Sequence, residues 1–334
     1  MKQGLGMVGK HVVSAVAANK TLRAKADSHD RQPLPPVDLA ALLLMTFLSS
    51  WTPIAVGCAV ASIPPIAGGV IRFLVAALAI GAILYLGRRL AVPAKKDWLL
   101  IVILGIICVP VNQACFWGGV ALASPSHAAM LYATTPVIVT VLSCLIRIER
   151  WSARSVTGAL LAVIGVVVIL LDSGLMLKKS FLPGDLLLLG AAATWSGYLV
   201  FSRRLNRQYG SLAAQFWIFL FGAIVSLPLL AFKSQRVVLS RITLSSWLGL
   251  GYLIFFVAVG VFFLYNWCNA RQPPSRVATF GNAAPPLTLV WEAVITRHMP
   301  GAWFLLGSGI LLTGMLLAIY RPRTPASPLP AIPD

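Results

Sequence analysis

The sequence predicts an all-α membrane protein, with ten transmembrane helices arranged as two inverted five-helix repeats. Three observations lead there. Residues 124–169 align without a gap on residues 273–318, 149 positions later, with nine of 46 positions identical, among them Pro125/Pro274, Ser126/Ser275, Pro136/Pro285, Gly158/Gly307 and Gly165/Gly314. Prolines and glycines at fixed spacing encode backbone shape, because they set where helices bend and where they can approach. Composition then names the solvent: 58% of the 334 residues are apolar and only 11% are charged, where a soluble domain carries about a quarter charged residues. Finally, the basic residues are distributed unevenly between the two sides that ten spans would create.

A spanning helix needs about 20 mainly apolar residues. Ten stretches qualify, near 38–60, 65–87, 97–119, 123–146, 153–171, 184–203, 211–232, 245–268, 274–296 and 301–320. They lack the strict alternation of barrel strands. With both termini cytoplasmic, the inner loops and tails hold 20 Lys/Arg and the outer loops six, leaving Arg72 inside the second span. That bias orients the chain and accounts for the net charge of +18 without any role for nucleic acid. Five spans per half make the second half start from the opposite side of the bilayer, the arrangement that supports alternating access. Trp51-Thr52 and Trp195-Ser196 open the two halves at similar positions.

The expected organisation is a disordered cytoplasmic arm over 1–37, a first repeat over 38–171, a second over 184–320 and a proline-rich cytoplasmic tail over 321–334. The five cysteines all fall within spans, which suits small buried thiols better than disulfides or a metal site.

Several stretches resemble the drug/metabolite transporter superfamily, and within it the EamA-like ten-helix family. The resemblance rests on PPIAGGVIRFLVAAL in span two, ALASPSHAAMLYATTPVIVTVL in span four, IERWSARSVTGALLAVIGVVVI running into span five, and GDLLLLGAAATWSGYLVFSRRL in span six. It implies a proton- or gradient-linked carrier of small metabolites, often an exporter of amino acids, in the inner membrane, with a central cavity between the halves. The chain departs from the family where Glu149 aligns with His298, while Glu292 lies six residues earlier. That departure motivates an alternative: a non-transporting scaffold or lipid-interacting subunit on the same fold.

Ionisable groups inside spans are costly and need a partner or a water-filled cavity. Arg72 either snorkels to the interface or ties loose carbonyls, or lines an outer vestibule with Glu292, in the same leaflet on the other half, or contacts the substrate directly. Asn112 and Gln113 interrupt span three just after Pro110, so they either present amides to a polar solute or bind neighbouring helices. Trp51, Tyr132, Trp195, Tyr198, Tyr265 and Trp267 are aromatic candidates for stacking on a solute. Pro136 and Pro285 are expected to be equivalent hinges. Glu149, beside Arg147, Arg150 and Arg154, is expected to be an ion-paired cap or gate latch, and Asp185 to cap the positive end of span six. His127 and His298, at the outer ends of spans four and nine, could sense protons. No H-E-x-x-H, G-x-S-x-G or Walker motif occurs, so neither an enzyme nor a cofactor is expected. The expected partners are a small-molecule substrate, protons and the lipid bilayer.

Overall fold

Apolar residues crowd outward on helix after helix of this chain: Leu78, Tyr85, Leu99, Leu186, Leu248, Phe255, Val294 and Leu306 are all exposed. A water-soluble surface does not tolerate such continuity, whereas a lipid-facing one requires it. The computed structural model describes residues 34–123, 125–149, 151–172, 182–232, 237–297 and 302–319, and every regular element among them is helical. The expected tail, and the expected arm up to residue 33, lie outside the described residues, as does His298.

The first half contains α1 (Pro36–Val60), α2 (Pro65–Leu86), α3 (Lys95–Leu122), α4 in two pieces, Pro125–Tyr132 and Thr135–Leu145, and α5 (Ala153–Asp172). The second contains α6 (Leu182–Tyr209), α7 (Ser211–Ala231), α8 (Leu244–Arg271), α9 in two pieces, Pro274–Gly281 and Ala284–Thr296, and α10 (Ala302–Ile319). Among the described residues six of these, α1, α2, α3, α6, α7 and α8, are long and apolar enough to cross a membrane. α2, at 22 residues, spans ~33 Å at 1.5 Å per residue, matching a hydrocarbon core of ~30 Å.

Local chemistry explains the boundaries. Prolines stand at the first turns of α2 and of both pieces of α9, where the missing N–H costs nothing. Gly210 reverses the chain between α6 and α7 in a single residue at φ 84°, a conformation that other residues resist. Thr243 caps α8 by accepting the Ser246 N–H at 3.3 Å. α3 widens into a π-helical turn over Ile107–Val111 around Pro110, and α8 does the same over Leu253–Val261. The extra residue per turn accommodates the proline ring in α3 and re-aims the side chains that follow.

The two halves are interleaved. Phe73 of α2, Phe219 of α7 and Phe262 of α8 form an aromatic core, with ring centroids 4.5 and 5.1 Å apart. Gly105 of α3 meets Gly222 of α7 so closely that a Cβ on either would fall within 3 Å of the other's backbone. Buried amides bind across helices, as in Gln215 donating to the Ala258 carbonyl at 2.6 Å and Asn269 to that of Leu199 at 2.6 Å.

α5 and α10 carry the clearest trace of the repeat. A Cβ on Gly165 would lie 2.5 Å from the Leu311 nitrogen and 2.6 Å from the Gly307 carbonyl oxygen; on Gly314 it would lie 2.6 Å from both the Ala162 nitrogen and the Gly158 carbonyl oxygen. Shifting the first set of partners by the repeat length produces the second set. A contact that maps onto itself when its partners exchange is two-fold in character. Position 158 faces 314 while 165 faces 307, so the two helices run antiparallel.

Candidate functional site

Neither α4 nor α9 is continuous. Each stops after one short helix and restarts two residues later: α4 breaks at Ala133-Thr134 and α9 at Asn282-Ala283. Pro136 and Pro285 were expected as kinks within helices. They stand instead at the second position of the restarted helices, because a proline ring clashes with the preceding turn and is tolerated where a helix begins. The breaks touch: the Asn282 side-chain amide donates to the Ala133 carbonyl at 2.9 Å, and these residues are 149 apart.

Around the breaks lies a cavity enclosing about 830 Å³ of empty space, counting its open mouth. α1, α2, α3, α4, α6, α8 and α9 all contribute to its wall. Six of the ten candidate residues line it: Arg72, Asn112, Gln113, Tyr132, Trp195 and Tyr265. Pro285 also lines it, and Pro136 is buried outside the lining. Trp51 packs against Trp291 with centroids 5.2 Å apart, leaving the lining to its neighbours Thr52 and Pro53. Tyr198 lies one layer back, fully buried, stacked on Trp195 at 5.3 Å and accepting the Asn266 amide at 2.9 Å. Trp267 lies away from the cavity, under the Arg271 guanidinium at 3.6 Å. Glu292 is on α9, but its side chain is outside the described residues, as are those of His127 and Arg150.

A chain of amides positions the charged member. Asn112 donates to the Ala191 carbonyl at 2.8 Å, the Thr194 hydroxyl at 3.0 Å and the Tyr132 hydroxyl at 3.3 Å. Its carbonyl oxygen accepts the Gln113 amide at 2.8 Å, which leaves the Gln113 Oε1 free to accept Arg72 Nη1 at 3.3 Å. Two glycines of α2 allow the approach: a Cβ on Gly69 would strike the Gln113 Cβ at 2.7 Å, and one on Gly68 the Trp117 ring at 2.1 Å. Arg72 is 2% exposed, so the snorkelling alternative does not describe it. Its guanidinium lies over the Phe73 ring at 5.0 Å and near that of Phe262 at 5.8 Å. Arg72 Nε and the hydroxyls of Thr52 and Thr135, all on lining residues, have no hydrogen-bond partner among the described residues.

Phe116 and Phe262 join the wall without any mark in the sequence. Phe116 meets Tyr132 edge-on at 4.9 Å, and Trp195 meets Phe262 at 5.0 Å and Tyr265 at 5.2 Å. Phe116 and Tyr265 share a repeat position, as do Tyr132 and Gly281. The Tyr265 hydroxyl fills the space beside Gly281, where a Cβ would be 2.1 Å away. Asn282 was findable in principle, since NAAP aligns on ATTP.

The carboxylates serve helix ends. Glu149 accepts the Ser275 N–H at 3.0 Å and also its hydroxyl, tying the loop after α4 to the first turn of α9. Asp185 is buried in the first turn of α6, and Asp38 occupies the like place in α1, accepting the Gln272 amide at 2.6 Å. Asp97, at the start of α3, accepts Arg204 at 2.6 Å, Tyr209 at 2.6 Å and Gln208 at 3.1 Å, all from the end of α6.

Residues 36–171 and, separately, 182–320 match the EamA-like transporter family. The chain is similar to an uncharacterized transporter, YyaM, of Bacillus subtilis, at 24% identity over 69% of this chain and 76% of that one. It is also similar to a second from the same organism, YetK, at 23% over 79% and 81%, and to a WAT1-related protein of Arabidopsis thaliana at 26% over 75% and 73%. A solved crystal structure shares the fold with a TM-score of 0.65 at 22% identity, covering 84% of this chain and 95% of its own.

Proposed function

Because the chain belongs to the EamA-like transporter family, and is therefore a multi-pass membrane transporter, we propose that it is a secondary carrier exporting small organic metabolites, amino acids or related compounds among them, across the inner membrane. In this reading ten spans form two inverted repeats, and alternating access exposes the cavity to each side in turn. One observation carries it: the family matches each half separately, and the halves meet through contacts that exchange with each other at Gly165 and Gly314 and through a bond between the matching positions 282 and 133. Two copies of one unit packed antiparallel offer two packings of similar energy, which is what alternating access requires. The polar and aromatic lining of the cavity suits a solute with both kinds of surface.

Purified protein in liposomes should show counterflow of a solute drawn from a metabolite mixture, and a proton gradient should alter its rate. Absence of counterflow for every solute would favour the non-transporting scaffold. Orientation is tested separately: reporter fusions at residues 92 and 206 should read cytoplasmic and one at 122 periplasmic. A periplasmic reading at 206 breaks the ten-span arrangement.

A further inference from the structure

We propose that the cavity takes a small organic monoanion, a carboxylate on a flat apolar body, and that Arg72 is the residue that receives the carboxylate. This rests on the carrier reading above and specifies its substrate class.

Arg72 is the one charged side chain among the described lining residues. A buried cation without a counter-charge is costly, and the groups around this one, the Phe73 and Phe262 rings and Gln113, bring no negative charge to it. Gln113 supplies a single neutral acceptor at 3.3 Å, and Nε has no partner among the described residues. A guanidinium presents five donors in a planar fork that matches a carboxylate. Gln113 is itself held by Asn112, so the fork is positioned before any ligand arrives. An anion seated there would neutralise the cavity and satisfy the idle donors, with the Thr52 and Thr135 hydroxyls available to its other polar groups.

The aromatic lining defines the rest of the ligand. Phe116 and Tyr132 form one edge-on pair, and Trp195, Phe262 and Tyr265 a second cluster, in the same cavity as Arg72, suited to a flat apolar body. A phosphate dianion would bring a second charge with no cation to meet it. An amine would face a guanidinium with no carboxylate among the described lining residues.

Tryptophan fluorescence of the purified protein in nanodiscs, titrated with phenylacetate, phenylacetamide and phenethylamine, tests this. Phenylacetate should bind at least about tenfold more tightly than the amide, the scale of a charge-assisted hydrogen bond, and the amine no better than the amide. Arg72→Gln should reduce the acid–amide ratio to about twofold or less, while Arg72→Lys keeps part of it. If Arg72→Gln does not fold, the wild-type ratio and the lysine variant decide. Equal binding of acid and amine, or an unchanged ratio in Arg72→Gln, overturns the proposal. Glu292→Gln should leave phenylacetate affinity unchanged; a gain of about tenfold would mean that Glu292 already holds the guanidinium, and that too overturns it. Counterflow of a neutral or cationic solute without acid preference would defeat this proposal and leave the carrier reading intact. Acid preference without counterflow of any solute would do the reverse.

Discussion

The two halves of this molecule share a backbone plan but not a chemistry. Where the first half places Asn112 and Gln113 in the cavity wall, just after the π-helical turn of α3, the second places Val261 and Phe262, 149 residues later, at the end of the π-helical stretch of α8. Tyr132 in the first half answers to Gly281 in the second, whose space is filled by Tyr265. The glycine pairs, the prolines at the restarted helices and the broken helices themselves remain common to both. Packing between helices constrains each half to fit a copy of itself, whereas the cavity lining need not repeat. Divergence is therefore tolerated at the cavity and resisted at the seam.

This contrast can be tested by mutating the seam and the cavity separately. The largest effect should come from the seam: Gly165→Val or Gly314→Val puts side-chain atoms where backbone lies within 2.6 Å. Overpacking costs ~1–3 kcal/mol even where neighbours can shift, and backbone neighbours cannot, so folded protein should be lost or its melting temperature lowered in detergent. Gly309→Ala, with nothing within 4 Å, is the control and should behave as wild type. Similar behaviour of the two would mean that the reciprocal contact does not hold α5 to α10.

Much of this was readable in the sequence. The glycines at 158, 165, 307 and 314 mark the seam because close helix approach leaves no room for a side chain, and that steric demand persists through duplication. Arg72, Asn112 and Gln113 were also findable, since polar groups in apolar runs are expensive and need a reason. Other features were not. Nothing local separates a proline that kinks a helix from one that starts a new helix two residues after a break. Trp51 and Tyr198 carry the same aromatic signal as Trp195 and Tyr265, yet only the latter two reach the cavity, because which ring forms the surface and which backs it depends on helix rotation. Phe116 and Phe262 were missed because a phenylalanine in a membrane helix has no distinguishing mark.

An intermediate effect is expected at the restarts. Pro136→Ala and Pro285→Ala should reduce transport more than membrane abundance, because the broken helices would gain the option of continuing through 133–134 and 282–283. Normal transport in both would show that the breaks are held by other contacts. The smallest effect should come from Glu149→Gln. The amide still accepts the Ser275 N–H but loses its charge beside a helix N-terminus, worth ~0.3–1 kcal/mol, a lowering of one or a few degrees in melting temperature. A larger fall would make that contact a principal tie between the halves.

The bond from Asn282 to Ala133 joins a residue to its own counterpart. If transport exchanges the conformations of the halves, every contact between unlike positions must be traded for its mirror image, whereas 133 and 282 are each other's counterpart. The bond itself is one-way, because Ala133 has no side-chain amide to offer the Asn282 carbonyl. On the carrier reading this pair of positions would act as a fulcrum, staying close while the ends of α4 and α9 swing past each other. Cysteines at 133 and 282, linked by a short bifunctional reagent, should leave counterflow running, whereas a link between 149 and 275 should stop it; arrest by the first link would remove the fulcrum. On that reading the cavity would be gated by leverage: small changes in tilt at the centre would become large openings at the membrane faces, and a ligand beside the fulcrum would be the part of the system that travels least.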